Sequence, residues 1–466
     1  MQDNMVDVGI DSVAIYIPKL YIELADEKDP ERETEFSISR KTDPKKYLYG
    51  IGVSKIAMPD TYEDSVTMAA NAIYELIRKN DISPKEIDRI DIASETAVDE
   101  SKPIAAYVHG MLEKVLGKSS LKNCGAVDYK FACAGTGYAL NDAVNWVLAG
   151  KSDDKCRIIC ATDIARYELY SNGEPTQGAA AIAFTVKRNP RLLTIDPVIG
   201  KYTEDEDDFW RPPSSKTAFV KGKHSIKCYL KAMREAFDNY AENAIENNFI
   251  KLREDEALTD HFDLIAYHTP FPKMVKYAAS HLFRHEWREL SRWEIIEREI
   301  GKEPKKEQFK TNEEFERKDK EFGKKFSETE LFKEAYGEKI ADGLVAPREV
   351  GNCYTASVWL SLCSLLEVKD NKGENLSGKK GGIGFYGSGS TAIANSFIVQ
   401  PEYKEVVRSF NLMKKIKNRI SISLQDYENL HEGRPLSGNR EHIIEPENEF
   451  ILVEVTSQGY RYYDYV

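Results

Sequence analysis

Residues 126–150 read AVDYKFACAGTGYALNDAVNWVLAG, and the fold class turns on them. AVDYKFA has the β-rich, short pattern of a strand, while TGYALNDAVNWVLAG is apolar at helical spacing and reads as a buried helix. Cys133 stands between the two. A strand that leads straight into a buried helix is the repeating unit of α/β proteins, in which helices cover both faces of a parallel sheet.

Working outward, the same pattern recurs twice. Before this stretch come the strand DSVAIYIP, a helix in TYEDSVTMAANAIYELIRKN with Val66, Ala69, Ala70, Ile73 and Ile77 on one face, the strand DRIDIASET with Glu95 near its end, and the helix SKPIAAYVHGMLEKVLG. After it come the strands CRIICATDI and AAAIAFTV. The second half answers with a strand at LLTIDPVI, the helix SIKCYLKAMREAFDNYAENAIE and the strand FDLIAYHTP with His268 near its end. Then follow the helix TASVWLSLCSLLE entered through GNCY, the strand GGIGFYGSG and a late strand EFILVEVT. The expectation is two similar layered halves, residues 1–190 and 191–466, with a site at the strand carboxyl ends where they meet. Residues 286–338 break the pattern. They are dense in Glu and Lys and read as a solvated helical insertion, and EKDPERETEFSISRKTDP reads as an exposed loop.

Composition narrows the function. The 466 residues are 41% hydrophobic, enough for a large core, and carry a formal net charge of -12. Such a surface repels nucleic acid and anionic membranes, so an anionic ligand needs a local basic cluster. Seven cysteines without a CxxC spacing argue against a disulfide framework and a zinc site. The amino-terminal residues read as a first strand rather than a signal peptide, and no apolar run is long enough to span a bilayer, so a cytoplasmic protein is expected.

Four polar residues fall where chemistry is done. Cys133 at the mouth of a helix faces free N–H groups and the positive end of the dipole, which favours thiolate, and its own N–H can serve as half of an oxyanion hole. The commoner fate of cysteine, a small buried apolar residue, suits Cys156, Cys160 and Cys363. His268 closes an apolar strand, where it would be exposed at the sheet edge, or else be a hydrogen-bonded structural histidine. Glu95 closes another; buried, it would have a raised pKa and work as acid and base, and exposed it is an ordinary cap. Asn352 precedes a buried helix, as N-cap residues do. The glycines of FYGSGSTA suit a second oxyanion-hole N–H, although without a GK[ST] ending they make no phosphate loop.

Ordered blocks along the chain, YGIGVSKIAMPDTYEDS, SETAVDESKPI, the Cys133 segment, ATDIARY, NGEPTQGAAA, DFWRP, KGKHSIKCYLKAM, HTPFPKM, EVGNCYTASV and FYGSGS, resemble the hydroxymethylglutaryl-CoA synthases of the thiolase superfamily, in the form found in the bacterial mevalonate pathway. The resemblance implies a duplicated five-layer αβαβα fold and a homodimer. It also implies an acyltransferase condensing acetyl-CoA with acetoacetyl-CoA, without a cofactor or metal, nucleic acid or membrane partner. Cys133 would carry the acetyl group, Glu95 would move the protons and His268 would polarise the acetoacetyl-CoA carbonyl. Asn172, Thr176, Ser215, Asn352 and Ser388 match substrate-binding positions, Lys273 a CoA phosphate contact, and the N–H groups of Cys133 and Ser388 the oxyanion hole. Cys133, His268 and Asn352 also fit ketoacyl synthases of the same superfamily; Glu95 is the residue that separates the two. Ala134-Gly135-Thr136 departs from the usual residues after the nucleophile, and Tyr277 stands where a second lysine is usual, with Lys276 beside it. A branching synthase of polyketide assembly, acting on carrier-bound acyl groups, and a non-catalytic scaffold of the same fold are the alternatives.

Overall fold

The computed structural model describes residues 7–150, 154–213 and 215–466, apart from the side chain of Asn439. These residues build one continuous sheet of ten strands. The first half contributes β1 (Val8–Tyr16), β2 (Ile87–Ala93), β3 (Gly125–Tyr129), β4 (Cys156–Ile164) and β5 (Ala179–Arg188). Their order is β3-β2-β4-β5-β1; β2 pairs parallel with β3 and β4, and β5 runs antiparallel to both its neighbours. The second half contributes β6 (Leu193–Ile195), β7 (Leu264–Tyr267), β8 (Lys380–Gly387) and β9 (Thr391–Val399), in the order β7-β8-β9-β6, and the short strand Gly200–Thr203, which pairs with β9. Here too the pair β7/β8 is parallel and β9 is antiparallel to both neighbours. Each half is therefore a mixed sheet, where alternation of strands and helices had implied a parallel one.

The halves join where β1 meets β6, with Gly9 opposite Thr194 and Ile10 opposite Leu193. A β-carbon at Gly9 would overlap the Leu193 carbonyl oxygen, so the junction needs glycine there. Helices α1 (Ser65–Lys79) and α2 (Ile104–Leu116) cover the outer face of the first half. Between the halves lie α3 (Gly135–Leu148) and, from the second half, α6 (Ser357–Asn371). Helices α4 (Gly222–Glu246) and α5 (Pro272–Trp287) cover the outer face of the second half. That is the expected five-layer αβαβα arrangement. Leu140 and Val144 from α3, Trp359 and Leu362 from α6, Ile159 and Phe184 from one half and Phe385 and Phe397 from the other share one core. Most of α3 is buried, with Asn145 and Leu148 exposed toward its end, and the apolar content of TGYALNDAVNWVL follows. Trp359 Nε1 donates to Thr136 Oγ1 at 2.9 Å, which satisfies a polar pair inside that core.

Three further expectations fail. The fifth strand of the second half is β9, not EFILVEVT. The latter forms β10 (Phe450–Val455), which pairs with β11 (Arg461–Tyr465) in a separate hairpin resting on α1 and α2. The charged insertion is not simply a solvated appendage. Its helices Arg292–Ile300, Asn312–Phe326 and Glu330–Lys339 bury Trp293, Ile296, Phe322, Phe326 and Phe332 against Phe283 and Trp287 of α5. Nor is the early charged segment all exposed: residues Glu35–Ser39 form a helix capped by Thr34, with Phe36 fully buried. Among the described residues no helix is long and apolar enough to cross a membrane.

Candidate active site

Cys133 sits on a tight turn. β3 ends at Tyr129 and α3 begins at Gly135, so Cys133 has little chain on either side. Ala132, just before it, takes φ 39°, a left-handed conformation that costs a residue with a β-carbon about 1–3 kcal/mol. Gly387, at the end of β8, comes up against this turn from the other half. A β-carbon there would stand 2.5 Å from Phe131 O and 2.9 Å from Ala134 N. The absent side chain lets the Ser388 turn lie directly beside the turn that carries Cys133.

The Cys133 thiol is 8% exposed and donates to Glu95 Oε1 at 2.8 Å. Burial raises the thiol pKa well above its ordinary value, and the Glu95 charge raises it further. The thiolate expected from the helix position is therefore not the resting form. A dipole at one helix end is outweighed by complete burial and an adjacent carboxylate. Glu95 is itself raised, by burial first and by the neighbouring Asp163 second, while Arg211 and Lys130 pull it back. A carboxyl group in that setting can take a proton and return it near neutral pH.

Asp163 was not singled out from the sequence, yet it organises the site. It closes β4 and is fully buried. Its Oδ1 accepts from the N–H of Glu95 (2.9 Å), the N–H of Thr96 (3.0 Å) and the hydroxyls of Ser94 (2.9 Å) and Thr96 (2.6 Å). Its Oδ2 accepts from the N–H of Thr355 at 3.0 Å and from the Thr355 hydroxyl. One carboxylate thus ties the Glu95 turn to the loop that carries Asn352. The available signal was an acid closing the otherwise apolar run CRIICATDI.

His268 follows β7 and is 2% exposed, not presented at an open edge. Its backbone N–H donates to Gly384 O (2.8 Å) and its carbonyl accepts from Tyr229 Oη (2.7 Å), which fix it beside β8. Burial lowers the imidazole pKa to about 3, so it is neutral, and Nδ1 is buried without a protein partner among the described residues. Asn352 is also buried; its Oδ1 accepts from Tyr354 N–H at 2.9 Å and Ser357 Oγ at 2.8 Å. The carboxamide oxygen is thereby committed to its own loop, and the NH2 end is the part left to donate.

The remaining candidates are less uniformly gathered. Thr176 is buried, gives its hydroxyl to Gly173 O (2.7 Å), and accepts at its carbonyl from Asn352 N–H (2.8 Å), so it joins the two loops directly. Asn172 lies exposed four residues earlier. Ser215 uses its hydroxyl on Thr217 O at 2.6 Å, in the loop that follows Arg211. Ser388 is half-buried in the turn after β8, and the next N–H, of Gly389, donates to Asp208 Oδ1 at 2.9 Å. Lys273 stands in the first turn of α5, where the YGIG loop reaches it through Gly52. Its pKa is lowered by partial burial and by the nearby charges of Lys276 and Lys324, with Glu328 acting in the opposite sense. Lys276 donates to that Glu328 at 2.8 Å. Lys324 belongs to the insertion, so part of this basic cluster comes from a segment that had no assigned role. The 172–176 loop has its own support: Arg40 bonds Glu174 at 2.6 and 3.2 Å, with both side chains nearly out of water.

A thiol in contact with a carboxyl of raised pKa is thus buried beside the strand ends of the first half, a neutral imidazole is buried at the strand end of the second, and a basic cluster stands at the start of α5. Comparison with known proteins identifies the family. The family model described as Hydroxymethylglutaryl-coenzyme A synthase N terminal matches residues 4–190, and its C-terminal counterpart matches residues 193–456. The Hydroxymethylglutaryl-CoA synthase of Haloferax volcanii is 34% identical over 464 residues, 99% of this chain and 100% of that one. The Hydroxymethylglutaryl-CoA synthase of Enterococcus faecalis is 27% identical over 456 residues, covering 97% of this chain and 99% of that one. Among solved structures, MvaS in complex with 3-hydroxy-3-methylglutaryl coenzyme A has a TM-score of 0.81 at 29% identity, over 99% of this chain and 100% of that chain. With both family models matched in order and relatives aligned from end to end, the chain belongs to the hydroxymethylglutaryl-CoA synthase family.

Proposed function

We propose that this protein condenses acetyl-CoA with acetoacetyl-CoA and water, giving 3-hydroxy-3-methylglutaryl-CoA and free CoA, with Cys133, Glu95 and His268 as its catalytic residues. The direct Cys133–Glu95 contact carries the reading. The Cys133 sulfur attacks the thioester carbonyl of acetyl-CoA; the C–S bond to CoA breaks and CoA leaves with the thiol proton. Glu95, as carboxylate, removes a proton from the acetyl methyl, which lies one acyl group away from the sulfur it already touches. The resulting carbanion attacks the ketone carbon of acetoacetyl-CoA, and the protonated Glu95 returns its proton to the new tertiary alkoxide. Water then cleaves the Cys133 thioester, freeing the product and restoring the thiol. A neutral His268 donates a hydrogen bond to the ketone oxygen without carrying charge into a buried site. The N–H groups of Cys133 and Ser388 face the developing enolate oxygen, a role supported by the approach of Gly387 to the nucleophile turn.

Asn172, Thr176, Ser215 and Asn352 are assigned to substrate contacts and Lys273 to a CoA phosphate, which gives an acidic protein its local anion site. The steps draw on the chain's own side chains and backbone N–H groups, water and CoA thioesters, and no cofactor is assigned. We further assign a cytoplasmic homodimer, with residues 1–190 and 191–466 as its two functional halves. In the main sheet β3 pairs with β2 on one side, and its free edge is where a second copy can add.

The test is acetylation without the second substrate. Acetyl-CoA alone is expected to place one acetyl group on the Cys133 peptide, read by intact and peptide mass spectrometry. No adduct, or one that persists in Cys133→Ala, overturns the assignment. The same assay with acetyl-carrier protein distinguishes the donor: efficient transfer from the carrier and none from CoA overturns the CoA reading.

A further inference from the structure

Away from this chemistry, on the outer side of the second half, three side chains of different donor type converge. His224 and Cys228 lie one turn apart on α4, and Glu206 reaches them from the segment after the strand Gly200–Thr203. His224 Nε2 is 2.8 Å from Glu206 Oε2 and 3.6 Å from Cys228 Sγ, and the three donor atoms all lie within 4.8 Å of one another. We propose that Glu206, His224 and Cys228 bind a divalent cation of the zinc class, with the remaining position open to water.

The donor set and its geometry carry the idea. Imidazole, thiolate and carboxylate together select zinc over magnesium or calcium, which prefer oxygen. Around a tetrahedral zinc, sulfur and nitrogen ligands stand about 3.6 Å apart given the usual bond lengths. The Cys228–His224 separation is already that. The His224–Glu206 contact is a hydrogen bond and has to open by about 0.6 Å to admit an ion. His224 and Glu206 remain 43% and 27% exposed at their side chains, which leaves solvent a path to the fourth position. Asp208, which accepts from Ser225 at 3.1 Å in the first turn of α4, adds negative charge nearby. The sequence hides the site because its ligands have no CxxC spacing and the third lies 18 residues upstream of His224.

Such an ion would act on structure. The segment carrying Glu206 is zipped to the turn after Ser388: Glu206 N–H donates to Gly389 O (2.8 Å), and Glu204 and Ser390 exchange backbone bonds of 3.0 and 2.7 Å. Helix α4 carries Tyr229, whose hydroxyl holds the His268 carbonyl. A cation bridging the two therefore fastens the Ser388 turn to the helix behind His268.

The test uses the full chain, reduced and free of chelator, titrated with Co2+ as the probe and then with Zn2+. A thiolate-to-cobalt absorption band that saturates at one ion per chain and is displaced by Zn2+ is expected. It should persist in Cys133→Ala, vanish in Cys228→Ser, and require roughly 10–100-fold more metal in His224→Ala or Glu206→Gln. Zn2+ should raise the melting temperature of the wild type and not of His224→Ala. If Cys228→Ser fails to fold, His224→Ala decides alone, since that side chain is partly exposed. No band, a band unchanged in His224→Ala, or a band lost in Cys133→Ala overturns the site and leaves an ordinary His–Glu pair beside a buried thiol.

Discussion

The Cys133 thiol donates to Glu95 Oε1 at 2.8 Å, so the nucleophile and the acid–base group are direct neighbours with both side chains out of water. The contact acts in opposite senses on the two groups: Glu95 raises the thiol pKa, second only to burial, while the thiol's hydrogen bond favours the ionised form of Glu95. Glu95→Ala therefore lowers the pKa of Cys133, and the pH midpoint of its alkylation by iodoacetamide shifts downward. The same variant should still accept acetyl from acetyl-CoA yet lose condensation by roughly 10²–10⁴-fold. A midpoint that stays in place, or product formed at near the wild-type rate, shows that Glu95 has been given the wrong role.

The same carboxyl group costs stability. Its folded pKa is raised above the unfolded value, so its favourable contribution is complete at low pH and is lost as pH rises through the folded pKa. Glu95→Gln removes the titrating group while keeping an acceptor for the thiol. Its melting temperature should exceed the wild type by a few degrees at pH 8, with the gain shrinking toward pH 5. Equal curves at both pH values would mean that the group is not raised.

Asp163→Asn should weaken both loops that the carboxylate joins. An amide offers one acceptor oxygen and turns an NH2 group toward an array of N–H and O–H donors. Each buried donor left unpaired in this way costs roughly 1–3 kcal/mol. Condensation should fall further than acetylation, because Glu95 moves while the Cys133 turn has other support. Unchanged melting and equal loss of both half-reactions would rule out this positioning role.

Much of this was legible because each half repeats strand, helix and strand with a polar residue at the end of an apolar run. That rule singled out Glu95, Cys133 and His268 as candidates, and the family resemblance supplied their roles. Asp163 obeys it too, but a lone acid closing a strand carries no chemistry of its own, and its partners lie in sequence as far away as Thr355. The ionisation of Cys133 could not be read locally, since it depends on Glu95 folding against it. EFILVEVT was correctly read as a strand and placed in the wrong sheet, because alternation reports a face and not a partner. TAIANSFIV was passed over because Asn395 and Ser396 interrupt its apolar run; in the fold Asn395 Nδ2 donates to Asp196 O and Val198 O, a destination the sequence does not display.

Arg40 and Glu174 form a nearly dry ion pair, with side chains 5% and 0% exposed, beneath the loop carrying Asn172 and Thr176. Arg40→Met strands the Glu174 charge and should cost roughly 3–5 kcal/mol, with KM rising more than kcat falls. Adding Glu174→Gln should recover part of the stability, since the pair is worth less than the penalty of leaving one partner alone. A double variant no better than the single one would argue that the loop, and not the charge, fails.

The insertion makes two separable predictions. Phe326 is fully buried against Trp287, Trp293 and Phe332, so Phe326→Ala should lower stability by about 3–5 kcal/mol. Lys324, two residues earlier on the same helix, contributes positive charge beside Lys273. Lys324→Glu should leave the melting temperature near the wild type and raise KM for the CoA thioesters, most strongly at low ionic strength, where exposed charges are least screened. If both variants change stability alone, the segment is a packed brace with no part in binding. If Lys324→Glu changes KM alone, the insertion supplies part of the anion site from outside the repeated pattern of strands and helices.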